Sequence, residues 1–226
     1  MAKNIIIAGK DYNKNSKIQA ISKQLGLNAF VTGSTDDSKT LWNRNSPISA
    51  RSIIINAENS FEKIDAGVIF FETSTYSQIF TNSELQDYNR VCDELILGYQ
   101  FLTLEFLRRF EKKQHGKLFF VLQPVQTQAD FLRLSTREQI ASPSYISTII
   151  STAQQAFLTF AENIAAANYK ENGCPIYLIE TSPNTSEQQI LEWISSKIEE
   201  PNPVYKNSKQ AVTWQSPDEK SKFFGK

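Results

Sequence analysis

The chain has 226 residues, with 24 basic side chains against 24 acidic ones and a formal net charge of zero. That length supports one domain with a sizeable core, and the scattered, balanced charge supplies no electrostatic footprint for nucleic acid. A single histidine, two distant cysteines and no long apolar run exclude a zinc cluster, a disulfide framework and a membrane span. The N-terminus reaches Lys10 and Asp11 before any extended apolar stretch forms, so no secretory leader is expected and the chain reads as cytoplasmic. Cys92 and Cys174 are expected as buried, reduced thiols. His115, in KKQHGK, is expected as a solvated residue at a helix end.

In chain order, short apolar runs rich in Ile, Val and Phe read as strands at NIIIAG, NAFVTG, SIIINA, GVIFFE, KLFFVLQ, PIYLIET and QAVTW. Helical spacing falls between several of them. Ser16–Leu25 places Ile18, Ile21 and Leu25 on one side. Ser83–Lys113 opens with a capping pair, Ser83 and Gln86, and carries Val91, Leu95, Leu102 and Phe106. Tyr145–Tyr169 carries Ile149, Ala153, Phe157, Phe160 and Ile164, and Thr185–Ile198 presents Ile190, Leu191, Ile194 and Ile198. Strands alternating with helices predict an α/β fold. The expected architecture is a Rossmann-like doubly wound parallel sheet of about seven strands in three α/β/α layers. Gly33–Ser52 shows no helical period and Glu58–Ala66 is short, so the crossovers after strands 2 and 3 are expected to be reduced. Residues 1–226 form a single expected domain, with 215–226 as a charged, mobile tail. Trp42 and Trp214 are expected to anchor irregular segments.

Two stretches are more specific. YNRVCDELILGYQFLTLEFLRRFEKKQHGKLFFVLQ is a long helix with an internal glycine, Gly98, leading into Gly116-Lys117-Leu118-Phe119. AQQAFLTFAENIAAANYKENGCPIYLIE is a helix with a small-residue face, then a short loop and an apolar strand. Both resemble the short-chain dehydrogenase/reductase family, the first its fourth helix and fifth strand, the second its fifth helix and sixth strand. The resemblance covers most of the chain and implies hydride transfer with NAD(P).

The family's own residues are replaced. Its cofactor loop, Thr-Gly-x-x-x-Gly-x-Gly, corresponds here to Ala8-Gly9-Lys10-Asp11-Tyr12-Asn13-Lys14-Asn15. Gly9 is kept, while Asn13 and Asn15 stand where the later glycines let backbone approach a pyrophosphate. Asparagine tolerates the turn, but its side chain takes the phosphate's space, and Asp11 adds repulsion countered in part by Lys10 and Lys14. Asp36, in GSTDDS, lies near where the resemblance would put the ribose hydroxyls, although a solvated polar turn is the plainer account. Glu72 and Glu180 end strands and are candidate polar groups of a pocket. The family's catalytic Asn, Ser, Tyr and Lys fall on Leu95, Gln123, Ile150 and Gln154. No Lys or Arg occurs between Glu138 and Tyr169, so Tyr145 has no ammonium to lower its pKa.

The expectation is therefore a member of this fold that has lost dehydrogenase activity, with no catalytic residues and a vestigial cofactor site at Gly9, Asn13, Asn15 and Asp36. No cofactor or metal is expected. Such a chain would serve as a homodimeric scaffold or partner-binding module. The resemblance implies pairing through helices 83–113 and 145–169, and Leu95 with the Ala161, Ala165 and Ala166 run is expected to be exposed until a second copy covers it. Two other readings stay open. One is an NAD(P)-dependent oxidoreductase with a rearranged active site, and the other a sensor that binds a nucleotide or metabolite without turnover.

Overall fold

The computed structural model describes residues 2–12, 17–33, 39–80, 84–137, 147–170, 173–203 and 208–217. Five parallel strands form its centre: β1 (Lys3–Ala8), β2 (Leu27–Val31), β3 (Ala66–Glu72), β4 (Lys117–Gln123) and β5 (Ile176–Glu180). They lie in the order β2-β1-β3-β4-β5. The strands read as unbroken apolar runs because both sheet faces are covered. Ile6, Ala8, Ile69, Phe71, Phe120 and Leu178 point to one face, and Ile5, Ile7, Val68, Phe70, Phe119 and Ile179 point to the other.

On the second face lie α1 (Ile18–Gln24) and the helix Glu187–Glu199. The first face carries α2 (Pro47–Ser60), a long central helix and the helix Thr148–Lys170. After β3 come α3 (Thr73–Ile79) and α4 (Leu85–Arg90). A π-helical stretch, Val91–Leu97, then leads into α5 (Gly98–Lys113). Beyond β4 stand α6 (Gln128–Arg133) and α7 (Thr148–Lys170), and beyond β5 stand α8 (Glu187–Glu199) and α9 (Ser208–Ala211).

The fold class is as expected, with five strands in place of seven. SIIINA, expected as a strand, is the middle of α2. Ser46 caps that helix by accepting from Ser49 N–H, Pro47 opens it, and Ala50, Ile53, Ile54 and Ala57 are buried at helical spacing. The two reduced crossovers thus become one complete crossover through α2, and the isoleucine run concealed its period. QAVTW is not a strand either. Ser208–Ala211 is helical, and downstream Gln215 alone bridges β5, giving N–H to Leu178 O at 2.8 Å and accepting from Glu180 N–H at 3.0 Å. The part of the expected tail from 218 on lies outside the described residues.

Several burial expectations change as well. Leu95, Ala161 and Ala165, expected to await a second copy, are no more than 3 % exposed and belong to the chain's own core. Cys92 is exposed and Cys174 half-buried, so neither is the fully buried thiol expected. His115 does not simply sit in solvent: its Nε2 lies 2.9 Å from Asp65 Oδ1. Trp42 is buried and Trp214 gives its indole N–H to Glu162 at 2.8 Å, so both anchor irregular segments.

One packing contact joins the segment after β2 to the central helix. Gly33 N–H donates to Thr40 O and Trp42 N–H to Gly33 O, which bends residues 39–46 back across the first face. The backbone of Arg44 then lies against Gly98, where a Cβ would come within 2.8 Å of Arg44 Cβ and its carbonyl oxygen. Replacement of Gly98 by alanine forces these two backbones apart. Gly98→Ala is expected to lower unfolding stability by about 1–3 kcal/mol, read from the urea midpoint. An unchanged midpoint would mean that residues 39–46 do not pack there.

Candidate functional site

In an open parallel sheet, ligands are met at the carboxyl ends of the strands, in the crevice where strand order reverses. Here that place lies between β1 and β3. Gly9 follows β1 with φ +90°, and a side chain on it would run into the carbonyl of Phe70. The turn that opens a phosphate loop is therefore kept, and only glycine fits it. The next two residues, Lys10 and Asp11, are buried side chains with fixed partners.

Lys10 Nζ is paired with Glu72, the last residue of β3, and with Glu187 at the start of α8, the latter at 2.7 Å. It also sits 4.7 Å from the centre of the Phe70 ring. Asp11 receives two bonds from Arg44: Nη2 to Oδ1 at 2.7 Å and Nε to Oδ2 at 3.1 Å. The side chains of Arg44 and Asp11 are 2 % and 3 % exposed, so this is an interior ion pair. Burial, the largest effect, works against the Arg44 charge, but Asp11, Tyr76 and Tyr99 together outweigh it, and the guanidinium is held protonated.

Aromatic rings close around this pair. The Arg44 guanidinium carbon lies 4.3 Å from the Trp42 ring centre, 4.8 Å from Tyr12, 4.9 Å from Tyr99 and 5.4 Å from Tyr76. Arg44 Nη2 also donates to Tyr76 Oη at 3.1 Å. Tyr99 gives its proton to Phe70 O at 2.6 Å, which leaves Tyr76 to donate to the Tyr99 hydroxyl. Tyr12 donates to Glu94. Burial raises all three phenols above their ordinary value, Tyr99 to about 12. None can serve as a proton-transfer group near neutral pH.

Of the four positions that the resemblance points to, Leu95 and Ile150 are fully buried in the core, and Gln123 ends β4. Gln154, on α7, accepts from Thr73 Oγ1 at 2.7 Å and from Val125 N–H at 3.0 Å, and donates to Val125 O at 3.3 Å. An amide thus pins the loop after β4 to the helix. Asn13, Asn15, Asp36 and Tyr145 lie outside the described residues. Glu72 pairs with Lys10 at the end of β3, while Glu180 is exposed at the end of β5.

Arg44, Tyr76 and Tyr99 were not legible as site residues. The single available signal was Arg44 standing two residues from Trp42 in a segment without helical period. A second hollow, of about 350 Å³, opens at the amino ends of the strands between Lys3, Asp65, His115, Lys117 and Cys174. Burial, with the nearby Glu111 charge, pushes the Cys174 thiol up to about 12, so it offers no nucleophile. Among the described residues no group of His, Cys, Asp and Glu could hold a metal ion.

No family model matches the chain. An uncharacterized protein of Treponema pallidum (strain Nichols) is 22% identical over 166 residues, which is 73% of this chain and 68% of that one. Among solved structures, a short chain dehydrogenase from Bacillus anthracis superposes with a TM-score of 0.63 at 10% identity, covering 95% of this chain and 94% of that one. A variant of ElxO with NADPH bound gives 0.61 at 13% identity over 96% and 97% of the two chains. An oxidoreductase of the short-chain dehydrogenase/reductase family from Brucella ovis, in complex with NAD, gives 0.56 at 13% identity over 96% and 98%. The chain therefore has the fold of these oxidoreductases.

The interior pair yields a test. Asp11→Asn leaves a buried guanidinium without a counter-charge and is expected to cost about 3–5 kcal/mol. The double variant Asp11→Asn/Arg44→Met removes both charges and is expected to be more stable than Asp11→Asn alone, as measured by chemical denaturation. A double variant less stable than the single one would contradict this account of the pair.

Proposed function

We propose that this chain is a short-chain dehydrogenase/reductase-like protein that has lost dehydrogenase activity and acts as a homodimeric scaffold or partner-binding module in the cytoplasm. The observation that carries the reading is the filled crevice: Lys10, Asp11 and Arg44 are spent on internal ion pairs where a dinucleotide would need open backbone. A pyrophosphate arriving there would meet Glu72, Glu187 and Asp11, and would have to displace both cations from them. The Gln154 clasp and the buried Leu95 and Ile150 support the absence of a catalytic set. Two unpaired cysteines fit a reducing compartment. No helix among the described residues is long and apolar enough to cross a membrane.

The dimer now rests on a different part of the helix from the one expected. Leu97 and Leu104, one heptad apart along the central helix, remain 41% and 43% exposed, with Phe101 half-buried between them. A repeated apolar stripe on an outer helix face is the kind of surface a second copy covers. On α7 the outward positions Thr152, Gln155, Thr159 and Asn163 are polar, so the central helix supplies the apolar part of the contact.

Two experiments test this. A thermal-shift titration with NAD, NADH, NADP and NADPH to millimolar concentration is expected to leave the midpoint unmoved, since a ligand at a hundredfold excess over its Kd adds about 2.7 kcal/mol. A clear shift would favour the sensor reading, and turnover with it would favour the oxidoreductase. Light scattering is expected to give twice the 25.7 kDa chain mass for the wild type and the single mass for Leu97→Glu/Leu104→Glu. A monomeric wild type at micromolar concentration would overturn the dimer.

A further inference from the structure

We propose that Asp11, Tyr12, Trp42, Tyr76 and Tyr99 form a guanidinium-binding recess, that Arg44 is its resident ligand, and that residues 39–46 are held closed over the strand ends by the Arg44 side chain together with Trp42. The inference rests on the reading that the crevice is shut, and it names what shuts it and what could take that place.

The geometry is that of ligand recognition. Two guanidinium nitrogens meet the two oxygens of one carboxylate, the fork-on-fork arrangement that distinguishes guanidinium from ammonium. Four aromatic rings stand within 5.4 Å of the guanidinium carbon, and Tyr76 Oη accepts from Nη2. Arg44 Nη1 is buried with no hydrogen-bond partner. Charge points the same way. Without Arg44, Asp11 loses its cation, Glu94 stays with Tyr12, and Lys10 stays with two carboxylates. The opened recess is therefore acidic and selects a cation, not a phosphate.

The strap depends on Arg44 and Trp42. Backbone bonds of this segment include those to Gly33, from Asn56 of α2 to Lys39 O, and from Asn43 N–H to Ser49 in the first turn of α2. The contacts that reach the β1 loop, α3 and α5 run through Arg44 and Trp42, with Gly98 giving room for the close approach.

The test is chemical rescue. Arg44→Ala is expected to melt lower than the wild type and to regain part of the loss, saturably, with millimolar ethylguanidinium, which replaces the atoms removed. Ethylurea, the neutral analogue, and ethylammonium, which lacks the fork, are expected to give no saturable gain. Neither should ethylguanidinium act on the wild type, or on Arg44→Ala carrying Asp11→Asn. Equal stabilisation by all three compounds, or none by ethylguanidinium, would overturn the recess. Should Arg44→Ala fail to fold, Arg44→Lys keeps the charge without the fork. Its amides in residues 40–46 are then expected to exchange hydrogen about tenfold faster or more, with β3 unchanged, and an unchanged strap would overturn the latch. NADPH stabilising the wild type would sink the closed-crevice reading alone, because ethylguanidinium rescue is read separately.

Discussion

A buried bidentate ion pair between Asp11 and Arg44 organises the functional end of this molecule. An interior charge is tolerated only with a partner and good geometry, because each ion left alone costs several kcal/mol. Once Asp11 occupies the turn after β1, a cation must reach it, and Arg44 does so by drawing residues 39–46 over the strand ends. The neighbouring features answer that demand. Tyr12, Trp42, Tyr76 and Tyr99 give the guanidinium an aromatic wall, and Gly98 leaves room for the backbone that carries it. Lys10 repeats the solution beside it with Glu72 and Glu187. At the carboxyl ends of β1 and β3 these charged side chains are interior groups.

Much of the fold was legible because burial on both faces leaves a plain trace. The apolar runs of β1, β3, β4 and β5 could be strands of a parallel sheet and little else. Gly98 and the small-residue face of α7 carried the likeness that the structural neighbours bear out as fold. The misreadings share a cause. In SIIINA, three consecutive isoleucines satisfy a strand template, while the Ser46 cap and Pro47 that mark a helix start lie outside the window. QAVTW has a strand's composition, but its start is helical and only the next residue, Gln215, bridges β5.

The site was legible only in part. Counting from Gly98 and Gly116, and aligning the small-residue face of the later helix, points to Leu95, Gln123, Ile150 and Gln154, of which Leu95 and Ile150 lie in the core. The ion pair was hidden, because Asp11 and Arg44 are 33 residues apart and no spacing rule pairs them. Leu95 and the alanine run misled for a related reason. Periodicity says that a helix face is apolar, but not whether its own sheet or a second copy covers it. The exposed stripe at Leu97 and Leu104 lies on a different face of the same helix.

The central claim is that the loop after Gly9 is an interior element that a dinucleotide does not enter. Hydrogen exchange on the wild-type protein, with and without millimolar NADPH, addresses it most directly. The account predicts slow exchange at the amides of Lys10, Asp11 and Tyr12 and at residues 40–46, with the same rates when NADPH is present. Rapid exchange at these amides that slows on adding NADPH would contradict it and restore the crevice as a cofactor site.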